Sequence, residues 1–314
     1  MEGKYDKLLF ITTTKMYDKG KGKALERTLN LPENSIERII IPDSGLNEIL
    51  EKLESIEFPK ESSFIVNLTC GTKIMSIGVY QFFSSYISSF YYLPIGKNSI
   101  ENLRTGEEVP LKYRLNVKEY LSLYGLFAEE DNSFLYSAEH TFSLFERFKN
   151  VNFHRTKLVE ISNARSLPRH RDRKYYSGIW FEEYVYLRIK KELNLENDKI
   201  LKNVKIYRNL SKTPDNEIDL IFIKENKLFI VECKVSMIGN PKSGEYKKLL
   251  EQYMYKLAAI SKDFGLIVNS YIFTLHRFDR ISPEAMNNLE KRMKILGING
   301  ILESMAFKQN KLEI

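Results

Sequence analysis

Two β-rich runs around one tight turn constrain this chain more than any other feature. Residues 216–223 read Asn-Glu-Ile-Asp-Leu-Ile-Phe-Ile, residues 228–234 read Leu-Phe-Ile-Val-Glu-Cys-Lys, and Lys224-Glu225-Asn226-Lys227 joins them. β-Branched and aromatic residues flanking a turn of this length predict a hairpin. With Lys224 paired to Lys227, Ile223 faces Leu228, and counting back sets Asp219 opposite Glu232. Directly opposed residues share a face, with Cα atoms roughly 4.5–5.5 Å apart. Lys234, two residues beyond Glu232, shares it too.

Two carboxylates and a lysine on an otherwise apolar hairpin need a physical reason. Opposed like charges on a sheet repel. A buried carboxylate without a counter-charge is costly or takes up a proton. A divalent cation removes both penalties, and hard oxygen donors suit Mg²⁺ or Mn²⁺ better than zinc. Such an ion lowers the pKa of a bound water and steadies charge on a phosphoryl oxygen. Lys234 would orient that water or neutralise the developing charge. A hairpin with solvated ends also contains Asp, Glu and Lys, so the motif is weighed with its surroundings.

Upstream, residues 178–189 read as an amphipathic helix with Trp180, the only tryptophan, on one side with Tyr184 and Leu187. Downstream, residues 245–262 repeat Tyr246, Leu249, Leu250, Tyr253, Leu257 and Ile260 at helical spacing and carry Gln252, Tyr255 and Lys256. Asp219 followed by Glu232-Cys233-Lys234 resembles the core of the PD-(D/E)XK nuclease superfamily. There an acidic residue on one strand precedes (D/E)-X-K on the next, and an earlier helix often supplies one more acidic ligand. Gly178-Ile179-Trp180-Phe181-Glu182 resembles that helix in the CRISPR-associated effector nucleases of the superfamily. The resemblance implies Glu182 as the further ligand, with Glu183 the neighbouring alternative. It implies that Glu182, Asp219, Glu232 and the backbone carbonyl of Cys233 hold Mn²⁺ or Mg²⁺, while Lys234 positions the attacking water. Lys256 stands where relatives carry a lysine or a Gln-X-X-X-Tyr pattern, here with the tyrosine one residue early. Its implied role is a contact with substrate phosphate, and a solvated lysine is the alternative.

The first half alternates. Strands are predicted at 7–13, 37–42, 63–68 and 88–95, with helices at 22–31, 46–56 and 72–86. That alternation predicts an α/β fold with a parallel sheet covered by helices on both faces. Ligands of such sheets bind beyond the C-terminal strand ends. Two loops there are rich in hydrogen-bonding groups: Thr12-Thr13-Thr14-Lys15-Met16, and Asn67-Leu68-Thr69-Cys70-Gly71-Thr72-Lys73-Ile74-Met75. A strand order of 2-1-3-4 would set them side by side. The second runs straight from strand to helix, where backbone N–H groups hold phosphate, Gly71 permits close approach and Lys73 adds charge. A plain helix N-cap at Thr72 is the alternative. The second loop resembles the ligand loop of CARF domains, the CRISPR-associated Rossmann-fold sensors, with Cys70 where members often have Gly. Those domains dimerise and bind cyclic oligoadenylate on the two-fold axis. The resemblance implies Thr12, Thr13, Thr14, Asn67, Thr69, Gly71, Thr72 and Lys73 as contacts.

Together the two halves resemble the cyclic-oligoadenylate-activated nucleases of type III CRISPR systems, in which one CARF domain and one PD-(D/E)XK domain share a chain that works as a homodimer. This implies a Rossmann-like CARF domain over 1–114, a helical linker region over 115–172 and an α/β restriction-endonuclease-like domain over 173–314. Residues 98–114 read as a hairpin around Arg104-Thr105-Gly106, and residues 116–127 and 136–148 read as helices that would link the domains. The implied activator is cyclic tetra-adenylate. The implied substrate is single-stranded RNA or DNA, with nicking of supercoiled DNA, in antiviral defence. Two other readings stay open: a constitutive nuclease whose first domain only dimerises, and a nucleotide-sensing, nucleic-acid-binding regulator with a dead nuclease fold.

Composition sets the remaining bounds. The net charge of +7 suits a phosphate-rich partner without specifying sequence. Arg165, Arg169, His170, Arg171, Arg173 and Lys174 cluster just before the 178–189 helix. Two cysteines in separate motifs argue against a disulfide framework and for a reducing, cytoplasmic compartment. No leader peptide is expected. The most apolar stretch, 74–95, is broken by Gly78, Gln81 and a run of serines, so it reads as a core helix and strand and not a membrane span. Four histidines show no ligand-like spacing.

Overall fold

The computed structural model describes residues 5–30, 32, 35–149, 174–208, 213–235, 243–275, 278, 282–309, 311, 312 and 314. The basic cluster 165–173 falls outside them. The chain divides into two compact units, Met1–Arg114 and Leu115–Ile314.

The first unit alternates as its sequence predicts. β1 (Leu8–Thr12) leads into α1 (Thr14–Asp18) and α2 (Lys21–Leu29), then β2 (Ile36–Ile40), α3 (Leu46–Glu54), β3 (Ser63–Asn67), α4 (Lys73–Phe83) and β4 (Ile87–Tyr92). The hairpin β5 (Ser99–Asn102) and β6 (Glu108–Pro110) follows. The single ladder in order 2-1-3-4 is not what forms. β1 and β2 pair in parallel as one sheet, and β3-β4-β5-β6 makes another. Side chains carry the continuity instead. Ile39, Ile41, Ile49, Leu53, Val66 and Phe90 share one core against which Leu9 and Ile11 pack. Gly78 lets α4 approach α3 closely, since a Cβ there would lie 2.7 Å from Ile49 Cγ2.

The second unit opens with α5 (Val117–Leu123), capped reciprocally by Asn116 and Glu119. β7 (Phe127–Glu130) and α6 (Ala138–Phe148) follow. A π turn, Tyr175–Ile179, runs into α7 (Trp180–Glu192). Then come β8 (Ile200–Tyr207), β9 (Asn216–Lys224), β10 (Lys227–Lys234), α8 (Ser243–Ser261), β11 (Val268–Thr274), α9 (Pro283–Leu296) and β12 (Gly300–Leu302). The strands form one mixed sheet in order β12-β11-β10-β9-β8-β7. α5, α8 and α9 cover one face, over Leu121, Ile221, Ile230, Leu250 and Leu289. α6 and α7 cover the other, over Phe145, Trp180, Leu220 and Val231.

Residues 115–149 are therefore no helical linker. α5 and α6 belong to the two faces of this sheet, and β7 is its edge strand. The expected helix to 127 stops at Leu123, and Gly125 at φ +75° turns the chain. Phe-Ala-Glu-Glu carries little strand propensity by itself; pairing with β8 decides its form. No described helix is long and apolar enough to cross a membrane.

Candidate active site

The catalytic-looking residues gather where β9 runs past the end of its ladder with β10 and its ladder with β8 is interrupted. β9 and β10 pair from Lys224↔Lys227 to Leu220↔Val231, the register expected from the turn. On its other side, β9 pairs with β8 at Leu220↔Lys202 and next at Ile218↔Val204. Between those pairs lie Asp219 and Asn203, and Asn203 adopts a left-handed φ of +50°. The side chains change face across this point. Leu220 and Phe222 lie in the core beneath α7, whereas Ile218 lies with Ile221 and Ile223 in the opposite core. A kink of this kind re-aims a side chain, as β-bulges do beside active sites. Asp219 is the residue it re-aims.

The Asp219 carboxylate takes over where the ladder ends. Its Oδ2 accepts the Cys233 backbone N–H at 2.7 Å and the Lys234 ammonium at 3.2 Å. Lys234 Nζ also lies 2.8 Å from Glu232 Oε1, and 5.3 Å from the centre of the Tyr253 ring. Glu232 is buried, and Lys256 on α8 donates to both of its oxygens at 3.2 Å. Burial raises the Asp219 pKa, and Glu232 raises it further; Lys234 and the Cys233 N–H only partly oppose them. Burial pulls the Lys234 ammonium down, yet Asp219 and Glu232 outweigh it and hold its pKa above the ordinary value. The Cys233 side chain itself is buried among apolar groups, and that burial pushes its thiol pKa well up.

Glu182 and Glu183 part ways on α7. Glu182 is half-buried, and its pKa is pushed up to about 8, first by burial and then by Asp219, with Glu232 adding to the rise. Lys234 and Lys202 pull it down. Glu183 is buried and accepts from Leu135 N–H at 3.3 Å and from the Thr141 hydroxyl at 3.4 Å. It ties α7 to the segment before α6. Trp180 sets the helix's depth; it is buried against Phe148 at 5.7 Å.

One charged residue of the neighbourhood escaped the sequence reading. Lys202 is 1% exposed in the middle of β8. Residues 200–207 are expected only as part of the nuclease domain, with no strand drawn there. Lying between Leu201 and Asn203, Lys202 carries no mark in the sequence that sets it apart from an ordinary strand lysine.

In the first unit the loop residues largely hold the backbone. Thr13 is buried and caps α1, its Oγ1 accepting from Met16 N–H at 3.4 Å. Thr72 caps α4 through Met75 N–H at 3.3 Å. Asn67 Oδ1 accepts from Thr69 N–H at 3.0 Å, and Thr69 Oγ1 from Leu93 N–H at 2.8 Å. Gly71 sits at φ +96°. Thr12 is half-buried and donates to Thr13 O at 3.5 Å, while Thr14 and Lys73 are exposed. A cavity of about 540 Å³ bordered by Ile40, Pro42, Glu48 and Lys52 takes in Thr14 and none of residues 67–73.

Residues 1–120 match the family model of the Card1 CARF domain, and residues 169–306 match that of the Card1-like endonuclease domain. The chain joins a Card1-type CARF domain to a Card1-like endonuclease domain. No curated protein matches it. Its fold is similar to that of protein VC1899 from Vibrio cholerae, with 18% identity and a TM-score of 0.69 over 96% of this chain and 88% of that one. It is also similar to Can2 from Sulfobacillus thermosulfidooxidans in complex with cyclic tetra-adenylate: 21% identity and a TM-score of 0.70, over 95% of this chain and 88% of that one. A type III CRISPR defence DNA nuclease activated by cyclic oligoadenylate is a third, at 16% identity and a TM-score of 0.58. That match covers 92% of this chain and 48% of the nuclease. At these identities the likeness is one of fold. The carboxylate and lysine cluster thus lies in the endonuclease domain, and the threonine-rich loops lie in the CARF domain. Among the described residues, no three or more His, Cys, Asp and Glu side chains converge as a ready-made metal cage. The endonuclease carboxylates are drawn onto Lys234 and Lys256 instead.

Proposed function

We propose that this chain is a cyclic-oligoadenylate-gated, metal-dependent endonuclease of CRISPR defence, working as a homodimer and cutting phosphodiester bonds of single-stranded RNA or DNA. The observation that carries the reading is the meeting of Asp219, Glu232 and Lys234 where β9 runs past its ladder with β10, with Glu182 in the same electrostatic field. The CARF domain supports gating by a cyclic nucleotide. The cyclic tetra-adenylate bound to Can2 supports that ring as the ligand to try first.

The donor set fits a hard divalent cation. Asp219 and Glu232 both reach Lys234, Glu182 lies in their electrostatic field, and burial with repulsion from Asp219 keeps a proton on Glu182 up to about pH 8. A cation replaces such a proton and relieves the repulsion. Glu182, Asp219 and Glu232, with the Cys233 carbonyl, would hold Mn²⁺ or Mg²⁺. When bound, that ion supplies a water of lowered pKa and stabilises charge at the scissile phosphate. Lys234 remains an ammonium at neutral pH, because its two carboxylate neighbours hold it charged. It therefore acts as a donor that orients the attacking water and meets charge developing on a phosphate oxygen; it is not the base. Lys256 is exposed beside Glu232 and offers a charge to the substrate backbone. Activation requires that the nucleotide bind the competent state more tightly than the resting one.

The test is cleavage with Mn²⁺ of labelled single-stranded RNA, single-stranded DNA and supercoiled plasmid, with and without cyclic tetra-adenylate. Cleavage only with the nucleotide is the expected result and identifies the substrate. Equal cleavage without it would reduce the CARF domain to a scaffold. Cleavage under neither condition, with other ring sizes also tried, would overturn the reading.

A further inference from the structure

The structure assigns Lys202 as a positioning residue for Glu182, acting through the 131–135 segment that it clamps. The assignment rests on the proposed nuclease reading of the Glu182 site.

A buried ammonium is costly unless it is paired or hydrogen-bonded. Lys202 finds its partners in one short stretch of chain. Its Nζ donates to Asp131 O at 3.0 Å and Ser133 O at 2.5 Å, and lies 4.9 Å from the centre of the Phe134 ring. Its backbone N–H donates to Asn132 Oδ1 at 3.0 Å. Asp131 closes the turn by accepting from Ser133 N–H at 3.0 Å. Residues 131–134 are therefore wrapped around one side chain of β8.

The wrap is fastened to α7 at two positions just after Glu182. Leu135 N–H donates to Glu183 Oε1, and the Phe134 ring meets Tyr186 edge-on at 5.7 Å. Thr141 bonds Glu183 from α6. On the strand side, Lys202 pairs with Leu220 and is followed by the kinked Asn203, at the place where Asp219 is re-aimed. One lysine thus fixes both the helix that carries Glu182 and the strand position beside Asp219. Its charge also opposes the rise in the Glu182 pKa. The CH₂ stem alone would serve packing; two carbonyl acceptors and a ring face are what an ammonium is needed for.

The experiment uses the full chain as Lys202→Met, Lys202→Arg and Asn132→Ala. Steady-state cleavage gives kcat and KM. Mn²⁺ binding to the nucleotide-free protein and the emission of Trp180, two residues from Glu182, give readouts that need no cleavage. Lys202→Met is expected to lower kcat by about 10- to 100-fold with KM within about twofold, as small misplacements of reacting groups do. Its Mn²⁺ affinity is expected to fall and its Trp180 emission to shift. Lys202→Arg is expected to restore most of both, and Asn132→Ala to give a smaller loss with the same split. Wild-type kcat and Mn²⁺ affinity in folded Lys202→Met would overturn the assignment. So would kcat and KM that change together with no recovery in Lys202→Arg. If Lys202→Met does not fold, Asn132→Ala decides by the same criteria. If the wild-type chain cleaves nothing, the nuclease reading fails by itself, and Mn²⁺ binding with Trp180 emission still decides the positioning role.

Discussion

The two units both gather polar residues at strand ends, but they use them in opposite ways. In the CARF domain, Thr13, Asn67, Thr69 and Thr72 give their side-chain oxygens to nearby backbone N–H groups. Three of these bonds fix a cap or a turn, the fourth ties the loop to Leu93 just after β4, and Thr14 and Lys73 face outward. In the endonuclease domain the backbone steps aside. Asp219 leaves both ladders, and charges are packed against one another with Glu182 raised in pKa. The first arrangement is relaxed and shapes a loop. The second holds like charges together that a proton or a cation must relieve.

The largest effect should come from breaking the second arrangement at its centre. Asp219→Asn keeps an acceptor for the Cys233 N–H, so the hairpin should fold. It removes the charge that faces Lys234. Cleavage is expected to fall by about 100-fold or more, the scale seen when one charge-stabilising group is lost. Affinity for cyclic tetra-adenylate, measured calorimetrically, should not move. Substantial cleavage by Asp219→Asn would dissolve the contrast, because the buried charges would then serve structure alone.

Titration gives the next largest effect. The folded-state pKa of Glu182, about 8, lies above the ordinary glutamate value of 4.5. Between those values the folded protein keeps a proton that the unfolded chain has lost, so this group costs stability as pH rises. The cost is absent below about pH 4.5 and complete above about pH 8. Metal-free Glu182→Gln should therefore be more stable than wild type at pH 9, by roughly 1–3 kcal/mol after allowing for partial exposure. The gap should close towards pH 5. Mn²⁺ should reverse the order, since it stabilises the chain that can hold it. Chemical denaturation at three pH values checks this; a wild type more stable than Glu182→Gln at pH 9 without metal would contradict the raised pKa.

These particulars also show what a sequence exposes. The hairpin register was legible because turn length and apolar alternation leave one pairing for Lys224 and Lys227. The strand–helix alternation of the first unit was legible for the same reason: each element repeats its own period. The missing pieces depend on contacts distant in sequence. β7 becomes a strand only because β8 offers it an edge. The gap between β1 and β3 leaves no mark in either strand's composition. Lys202 looks like any strand lysine until Asp131 and Ser133, about 70 positions away, supply its acceptors. The face change at Asn203 needs one positive φ that no period reveals.

The smallest effects sharpen the contrast inside the CARF loop, where neighbours should separate into shape and charge. Thr72 caps α4, and replacing a threonine cap by alanine typically costs about 1 kcal/mol. Thr72→Ala should lower the melting temperature of the first unit by a few degrees, and Thr72→Ser should recover most of it because serine caps equally well. Lys73 is exposed at the next position and holds no cap. Lys73→Ala should leave the melting temperature unchanged. It should weaken cyclic tetra-adenylate about tenfold, as the loss of one charge-assisted contact to phosphate would, since such bonds are worth about 1.5–3 kcal/mol. Mn²⁺ binding should be untouched in both variants. Calorimetry on the three proteins separates the roles. If Lys73→Ala and Thr72→Ala lose stability and nucleotide together, the loop acts as one structural piece, and the division between a relaxed loop and a cluster of packed charges would have to be redrawn within the CARF domain itself.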